Sequence, residues 1–491
     1  MSTTHDQAMN YVYQQVLQRL LSFFSRAERT ALQLLIQRLV VAAGGMDRIG
    51  TYKVLMMHSG TRDSCYTLAF LRAAQLSIAG RAPATFQLRV ATLRLGGTTP
   101  MIMENIHSSY GALFVYDDPR VEVVMADNRE VLPFSHLTPM SEAGRDLNRT
   151  NLLMLGHLRG ADGVFEACGD GYLATGEFYS QMARWEGGVD ALISGETVRQ
   201  QKQFLAGLMH EAKKAGLPVI THPAFSYEGL FSTLDQLGGD CYRKLYAGHE
   251  TVEWRPRESF EARRGADYID IQDLVTGNME ERWPLLTDFL GLQPDEIDVH
   301  LRENEFASPL LSAHLRGLQA CFVNGLAYES GFSEYIQRAL LKMRKRRLPE
   351  RLCEQVLEVY GNPQAMAELR TQASAEAQQV LGLNETQQLC LLFAPFVDAG
   401  AGLEHFLRRC HPGMLVAMPE LHKAMQGNAA PEQVMQWMID VSGLSVSLIC
   451  KLYGMRSVSG IGLEAGDSGL SAAGTGELEV DDALSERSAR R

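Results

Sequence analysis

Between Tyr52 and Thr221 short apolar runs alternate with stretches of helical spacing, and that alternation leaves few folds open. Strands are expected over Lys53–Met57, Phe86–Leu95, Val121–Ala126, Gly163–Ala167, Asp190–Ile193 and Pro218–Thr221. Helices are expected between them, over Cys65–Ile78, Pro100–Phe114, Arg145–Arg159, Thr175–Trp185 and Val198–Ala215. Strands separated by helices return to the sheet in the same direction, so the pattern predicts an α/β fold, a mainly parallel sheet with flanking helices, over residues 46–230. Ligands on such sheets bind beyond the carboxyl ends of the strands. The turn after Met57, the segment Gly96-Gly97-Thr98 and the pair Asp127-Asn128 all fall on that edge.

The first of these turns has the chemistry of an anion site. At a strand-to-helix junction the first helical N–H groups lack intrahelical acceptors, and the helix dipole adds about half a positive charge. In Ser59-Gly60-Thr61-Arg62-Asp63-Ser64, Gly60 permits close backbone approach, Ser59 and Ser64 offer hydroxyls, and Arg62 offers a cation. Asp63 can hold Mg²⁺ or cap the helix. An ordinary strand-to-helix turn capped by Asp63 uses the same residues.

This turn resembles the S-G-G-x-D-S signature of the PP-loop ATP pyrophosphatases, with five of six positions compatible and Thr61 in place of the second glycine. The resemblance implies a Rossmann-like sheet of HUP type and an enzyme that uses ATP to adenylate a carbonyl or carboxyl oxygen, releasing pyrophosphate. An amine, ammonia or sulfur nucleophile would then displace AMP. Ser59, Gly60, Thr61 and Ser64 would hold phosphate, Arg62 would offset its charge, and Asp63 would position Mg²⁺. The family's second glycine normally lets backbone lie against pyrophosphate, so Thr61 decides whether the site turns over.

A second stretch, Leu158–Thr175, carries Gly-Ala-Asp, a short apolar run and a Gly169-Asp170-Gly171 turn. Its layout is similar to the segment with which PP-loop enzymes close over the nucleotide, although their histidine and second acid are missing. That likeness makes Gly169 and Gly171 nucleotide contacts and Asp170 a catalytic residue and partner of Asp63 on Mg²⁺. From the start of the first match to the end of the second is about a quarter of the chain.

Two other readings use the same elements. The strand ending in Asp127 resembles the one in class I methyltransferases whose acid sits near the adenine of S-adenosylmethionine, and Asp127 is a nucleotide contact on either reading. Against it, Gly60 stands alone in its loop, and the second strand ends in Leu95-Gly96 rather than an acid. The third reading is a non-catalytic Rossmann-like scaffold that binds a protein partner through the helical C-terminal half.

Other residues have chemistry but no spacing that singles them out. His58 precedes the turn, Cys65 and Cys168 flank the two matched segments, and His222 closes the last expected strand; Glu166, Glu177 and Glu196 are candidate bases. The eight cysteines are scattered singly, without a zinc-type pair, and read as reduced thiols. A net charge of −12 argues against a general nucleic-acid binder. The basic run Lys342–Arg351 is either a solvated helix end or a contact for a phosphate-rich partner such as tRNA. The N-terminus lacks a leader pattern, and no window reaches the roughly 18 apolar residues of a membrane span, so a cytoplasmic protein with no membrane partner is expected.

Around the α/β region, residues 1–45 predict a helical hairpin broken near Ser25 and ended by Gly44-Gly45. Residues 231–300 give no assignable pattern, 301–455 read as mainly helical, and 456–491, rich in Gly, Ser and acid, read as a disordered tail.

Overall fold

The computed structural model describes residues 3–94, 98–127, 130–167, 178, 181–182, 185–195, 246, 266–271, 273–274, 279–293, 301, 307–345, 348 and 350–457. Its N-terminal hairpin is α1 (Thr3–Phe23) and α2 (Arg26–Ala42). Ser25 divides them because it caps α2 reciprocally with Glu28: Glu28 N–H donates to Ser25 Oγ at 3.2 Å, and Ser25 N–H to Glu28 Oε2 at 2.8 Å. Gly44 and Gly45, at φ of 78° and 122°, turn the chain out of α2.

A six-stranded sheet follows, with β1 (Lys53–Met57), β2 (Gln87–Leu93), β3 (Val121–Asp127), β4 (Glu130–Pro133), β5 (Ala191–Ile193) and β6 (Asp267–Tyr268). Its order is β4-β3-β2-β1-β5-β6, and every pair is parallel except β3–β4. β1 is central and buried on both faces, which is why its sequence is a continuous apolar run rather than an alternation. Crossover helices α3 (Arg62–Ala79) and α4 (Pro100–Ala112) connect the first three strands.

α3 is buried from Ser64 through Ile78, because the sheet takes one side and α1, α2 and the π-helical turn Leu285–Phe289 take the others. Its first turn is therefore the part left open to a ligand. A helix buried all round must satisfy its polar members internally, and Arg72 does so by donating to Gln75 and Asp118.

α5 (Glu142–Ala167) corrects the expected strand Gly163–Ala167. Val164-Phe165 is too short a run to separate strand from helix by pattern, and Gly160 and Gly163 are tolerated inside a helix that neighbours hold. β4 and β6 were not expected; β6 comes from the segment 231–300 and extends the sheet beyond β5.

α5 starts at the carboxyl edge of the sheet, where Ser141 Oγ accepts from Gly144 N–H at 3.0 Å, and ends in the helical region. There Gly156 lets it approach helix Glu385–Phe393 closely: a Cβ on Gly156 would lie 2.5 Å from Leu391 Cδ1. The helical region, from Pro309 to Tyr453, has its own core around Leu311, Phe332, Leu391, Phe396, Phe406 and Met438. Among the described residues no helix is long and apolar enough to cross a membrane. Of the helix expected over Thr175–Trp185 only Phe178, Gln181, Met182 and Trp185 are described, the first three of them α-helical; the expected elements at 198–215 and 218–221, and the tail from 458, lie outside the described residues.

Candidate functional site

β1 lies between β2 and β5, so the chain leaves it in one direction and later returns on the other side. The β1–α3 turn thus sits at the switch point, where open parallel sheets leave a crevice. Gly60 has φ of +72°, and a Cβ there would lie 2.9 Å from Ile106 Cγ1 and 3.0 Å from the Ile102 carbonyl oxygen. Glycine is therefore required twice, by its left-handed backbone and by the first turns of α4 pressed against it. On the other side the chain leaving β5 closes in: a Cβ on Gly195 would lie 2.9 Å from Thr67 Oγ1 and 3.3 Å from the Asp63 carbonyl oxygen.

Thr61 is the N-cap of α3, in extended conformation, and its side chain makes no capping bond. The first intrahelical bond runs from Cys65 N–H to the Thr61 carbonyl at 2.9 Å, so helix geometry leaves the N–H groups of Arg62, Asp63 and Ser64 without intrahelical acceptors. The hydroxyl of Thr61 turns instead to two others: Ser59 Oγ is 3.0 Å away and Ser64 Oγ 3.3 Å, with 3.3 Å between Ser59 and Ser64. Ser64 also donates to the Thr61 carbonyl at 2.9 Å. Ser59, Thr61 and Arg62 are exposed, Asp63 is half-buried and Ser64 is buried. Three hydroxyls and the positive end of a long helix thus meet at one spot.

Burial pushes the Asp63 carboxyl above its ordinary value, while the charges of Arg62 and Arg282 oppose that shift. Arg282 is a residue that sequence reasoning missed. It lies in the short helix Met279–Pro284, its guanidinium 4.1 Å over the Tyr66 ring and its Nε 3.7 Å from Glu28 Oε1. Tyr66 donates to that same Glu28 oxygen at 2.6 Å. A lone arginine in an unpatterned segment gives no local signal of this contact, which depends on the tertiary fold.

At the neighbouring strand ends, Arg94 takes both carboxylate oxygens of Asp127: Nε donates to Oδ1 at 2.6 Å and Nη2 to Oδ2, while Nη1 reaches the Thr138 carbonyl. Asp127 is buried and already committed to this pair.

His58 follows β1 into the core, 5.2 Å from the Tyr110 ring, with neither ring nitrogen bonded among the described residues. Burial pushes its pKa down to about 3, so it is a neutral imidazole under the turn rather than an acid or base on it. Burial pushes the Cys65 thiol up to about 12, which removes thiolate chemistry at neutral pH. Gly169, Asp170, Gly171, Cys168, Glu177, Glu196 and His222 lie outside the described residues, as does the side chain of Glu166 on α5. In the basic run, Lys342, Arg344 and Lys345 close the helix Tyr328–Lys345, and Arg344 pairs with Glu350 at 2.8 Å. Among the described residues no three His, Cys, Asp or Glu side chains converge as a metal ion would need.

No family model, curated protein or solved structure matches the chain.

Proposed function

We propose that the chain binds the phosphates of ATP at the β1–α3 turn and uses the nucleotide to adenylate a carbonyl or carboxyl oxygen, as the PP-loop resemblance implies. The observation that carries this reading is the meeting of the Ser59, Thr61 and Ser64 hydroxyls with the open N-terminus of α3 at the switch point of the sheet. The parallel order β3-β2-β1-β5-β6 suits a Rossmann-like sheet of HUP type.

On this reading the backbone N–H groups of Arg62, Asp63 and Ser64 hold phosphate oxygens, and the exposed Arg62 offsets their charge. Asp63, with Asp170 from the second matched segment, would hold Mg²⁺, which supplies charge neutralisation between the phosphates. The substrate oxygen forms a bond to the α-phosphorus as the bond to pyrophosphate breaks. An amine, ammonia or sulfur nucleophile then attacks the activated carbon and AMP leaves with the oxygen. The chain contributes positioning and electrostatic stabilisation.

Arg94 occupies both oxygens of Asp127, so the acid is not free as a nucleotide contact on either reading; the methyltransferase reading, which depends on it, loses most. The test is a thermal-shift screen with ATP plus Mg²⁺, AMP and S-adenosylmethionine. A ligand at a hundredfold excess over its Kd stabilises by about 2.7 kcal/mol. Stabilisation by ATP that disappears in Asp63→Ala is the expected result. A response to S-adenosylmethionine alone overturns it, and silence to all three leaves the scaffold reading.

A further inference from the structure

The imidazoles of His107 and His136 stack face to face, with centroids 3.8 Å apart and planes 25° from parallel. His107 belongs to α4, and His136 to the strap 134–138 between β4 and α5. Three elements bring titratable groups to the pair. α4 supplies Glu104, whose Oε2 lies 3.6 Å from His136 Nε2; the loop after α4 supplies Tyr116, whose hydroxyl lies 2.8 Å from His107 Nδ1; the strap supplies His136 itself.

The strap has further anchors, among them Phe134 N–H donating to the Val123 carbonyl at 3.1 Å. Phe134 sits edge-on to Tyr110 at 4.9 Å, and the Thr138 carbonyl accepts from Arg94, whose remaining nitrogens hold Asp127. On α4, Ile106 beside His107 backs Gly60 of the β1–α3 turn. The stack therefore joins the helix behind the turn to the clamp at the ends of β2 and β3.

We propose that the His107–His136 stack is a pH-operated latch: with at most one ring charged the stack holds the 134–138 strap on α4, and charge on both rings releases the strap and its Thr138–Arg94 contact at the carboxyl edge of the sheet. Glu104 favours the proton on His107, but like charges on two stacked rings repel, and the strap is the shorter and more exposed partner. Burial first, and then His136, hold the His107 imidazole below its ordinary range, against the opposing pull of Glu104. A folded-state value below the unfolded one means the contact is intact above the ordinary imidazole range and is lost as pH falls through it. The latch does not depend on what the turn binds.

Hydrogen–deuterium exchange at pH 7.5 and 5.5, with each peptide normalised to its intrinsic chemical rate, reads the strap directly. Strap protection should fall on acidification by about tenfold for each unit separating the folded and unfolded imidazoles, and by more than that of α3, whose own smaller loss reports the acid-linked fall in global stability. His136→Phe keeps the ring stack and places a protonated His107 on an aromatic face, an attractive contact, so its strap stays protected at both pH values. His107→Gln loses the stack, and its strap exchanges faster than wild type at both. Wild-type protection that ignores pH, or an equal acid loss in His136→Phe, overturns the latch.

Discussion

Arg72, fully buried in the middle of α3, donates to Asp118 Oδ2 at 2.8 Å, and Arg120 donates to the same oxygen at 2.6 Å. Both guanidiniums lie over the Tyr13 ring, at 5.3 and 5.0 Å, so the hairpin helix α1 covers the pair. One carboxylate thus pairs with both arginines and leaves the trio a net positive charge, which the partly exposed Arg120 carries toward solvent.

The two halves of this pair should respond unequally to mutation. Asp118→Asn leaves two guanidiniums without a counter-charge and should cost about 3–5 kcal/mol in urea unfolding. Arg72→Met leaves Asp118 paired with Arg120 and fills similar volume, so it should cost less than Asp118→Asn. Burial pushes the Asp118 carboxyl up, but Arg120 and Arg72 overcome this and hold it below its ordinary value. Its contribution is therefore present above the ordinary carboxylate range and is lost as pH falls through and below that range. Equal costs for the two variants would contradict this account.

Gly60→Ala should destabilise the protein by about 2–4 kcal/mol, from the left-handed backbone and from overpacking against Ile102 and Ile106. The Ile102 contact is to backbone, which cannot rotate away. Gly45→Ala has positive φ but nothing within 4 Å, so it isolates the backbone share and should cost about 1–2 kcal/mol. Chemical denaturation of both variants separates the two contributions.

These two glycines also show what the sequence reading reached and where it stopped. Local chemistry was legible: Ser25 and Gly44 marked the ends of α2, and the apolar run at Lys53 followed by Gly60 marked β1 and its turn. That Gly60 faces α4 was not, because Ile102 and Ile106 meet it only after the sheet has formed. The strand expected at Gly163 failed for a related reason, since a short apolar run takes whichever backbone its neighbours favour, and α5 was already in progress. β6 and Arg282 came from a segment with no periodicity, where only pairing with β5 and packing on Tyr66 give the residues a place. Asp127 was visible as an acid on the ligand edge, but its pairing with Arg94 requires the register of β2 against β3.

His58 should make the protein acid-sensitive. The unfolded imidazole takes a proton near 6.5 while the folded one stays neutral down to about 3. The unfolded state therefore binds more protons, and stability falls by about 1.4 kcal/mol per pH unit through that window. His58→Leu removes the titration and two unbonded buried nitrogens, so at pH 7 it should be as stable as wild type or up to about 1 kcal/mol more stable. Its advantage should widen steadily between pH 6 and pH 4 in urea titrations; a constant difference would show that His58 finds a partner in solution.

Thr61→Gly addresses the residue that separates this turn from the PP-loop pattern. Thr61 is exposed, makes no capping bond and lies outside the tight contacts that hold Gly60, so glycine at this N-cap should cost only a few tenths of a kcal/mol. Its hydroxyl forms one corner of a triangle with those of Ser59 and Ser64 at the N-terminus of α3, where the proposed phosphate would bind. If the side chain limits the approach of that phosphate, Thr61→Gly should lower the Kd for ATP with Mg²⁺ by about threefold to tenfold, or about 0.7–1.4 kcal/mol. If the hydroxyl is instead a phosphate donor, Thr61→Gly should weaken binding by a similar factor and Thr61→Ser should restore it. Isothermal titration of the three proteins distinguishes a barrier from a ligand at this position, and unchanged affinity in all of them would remove Thr61 from the site.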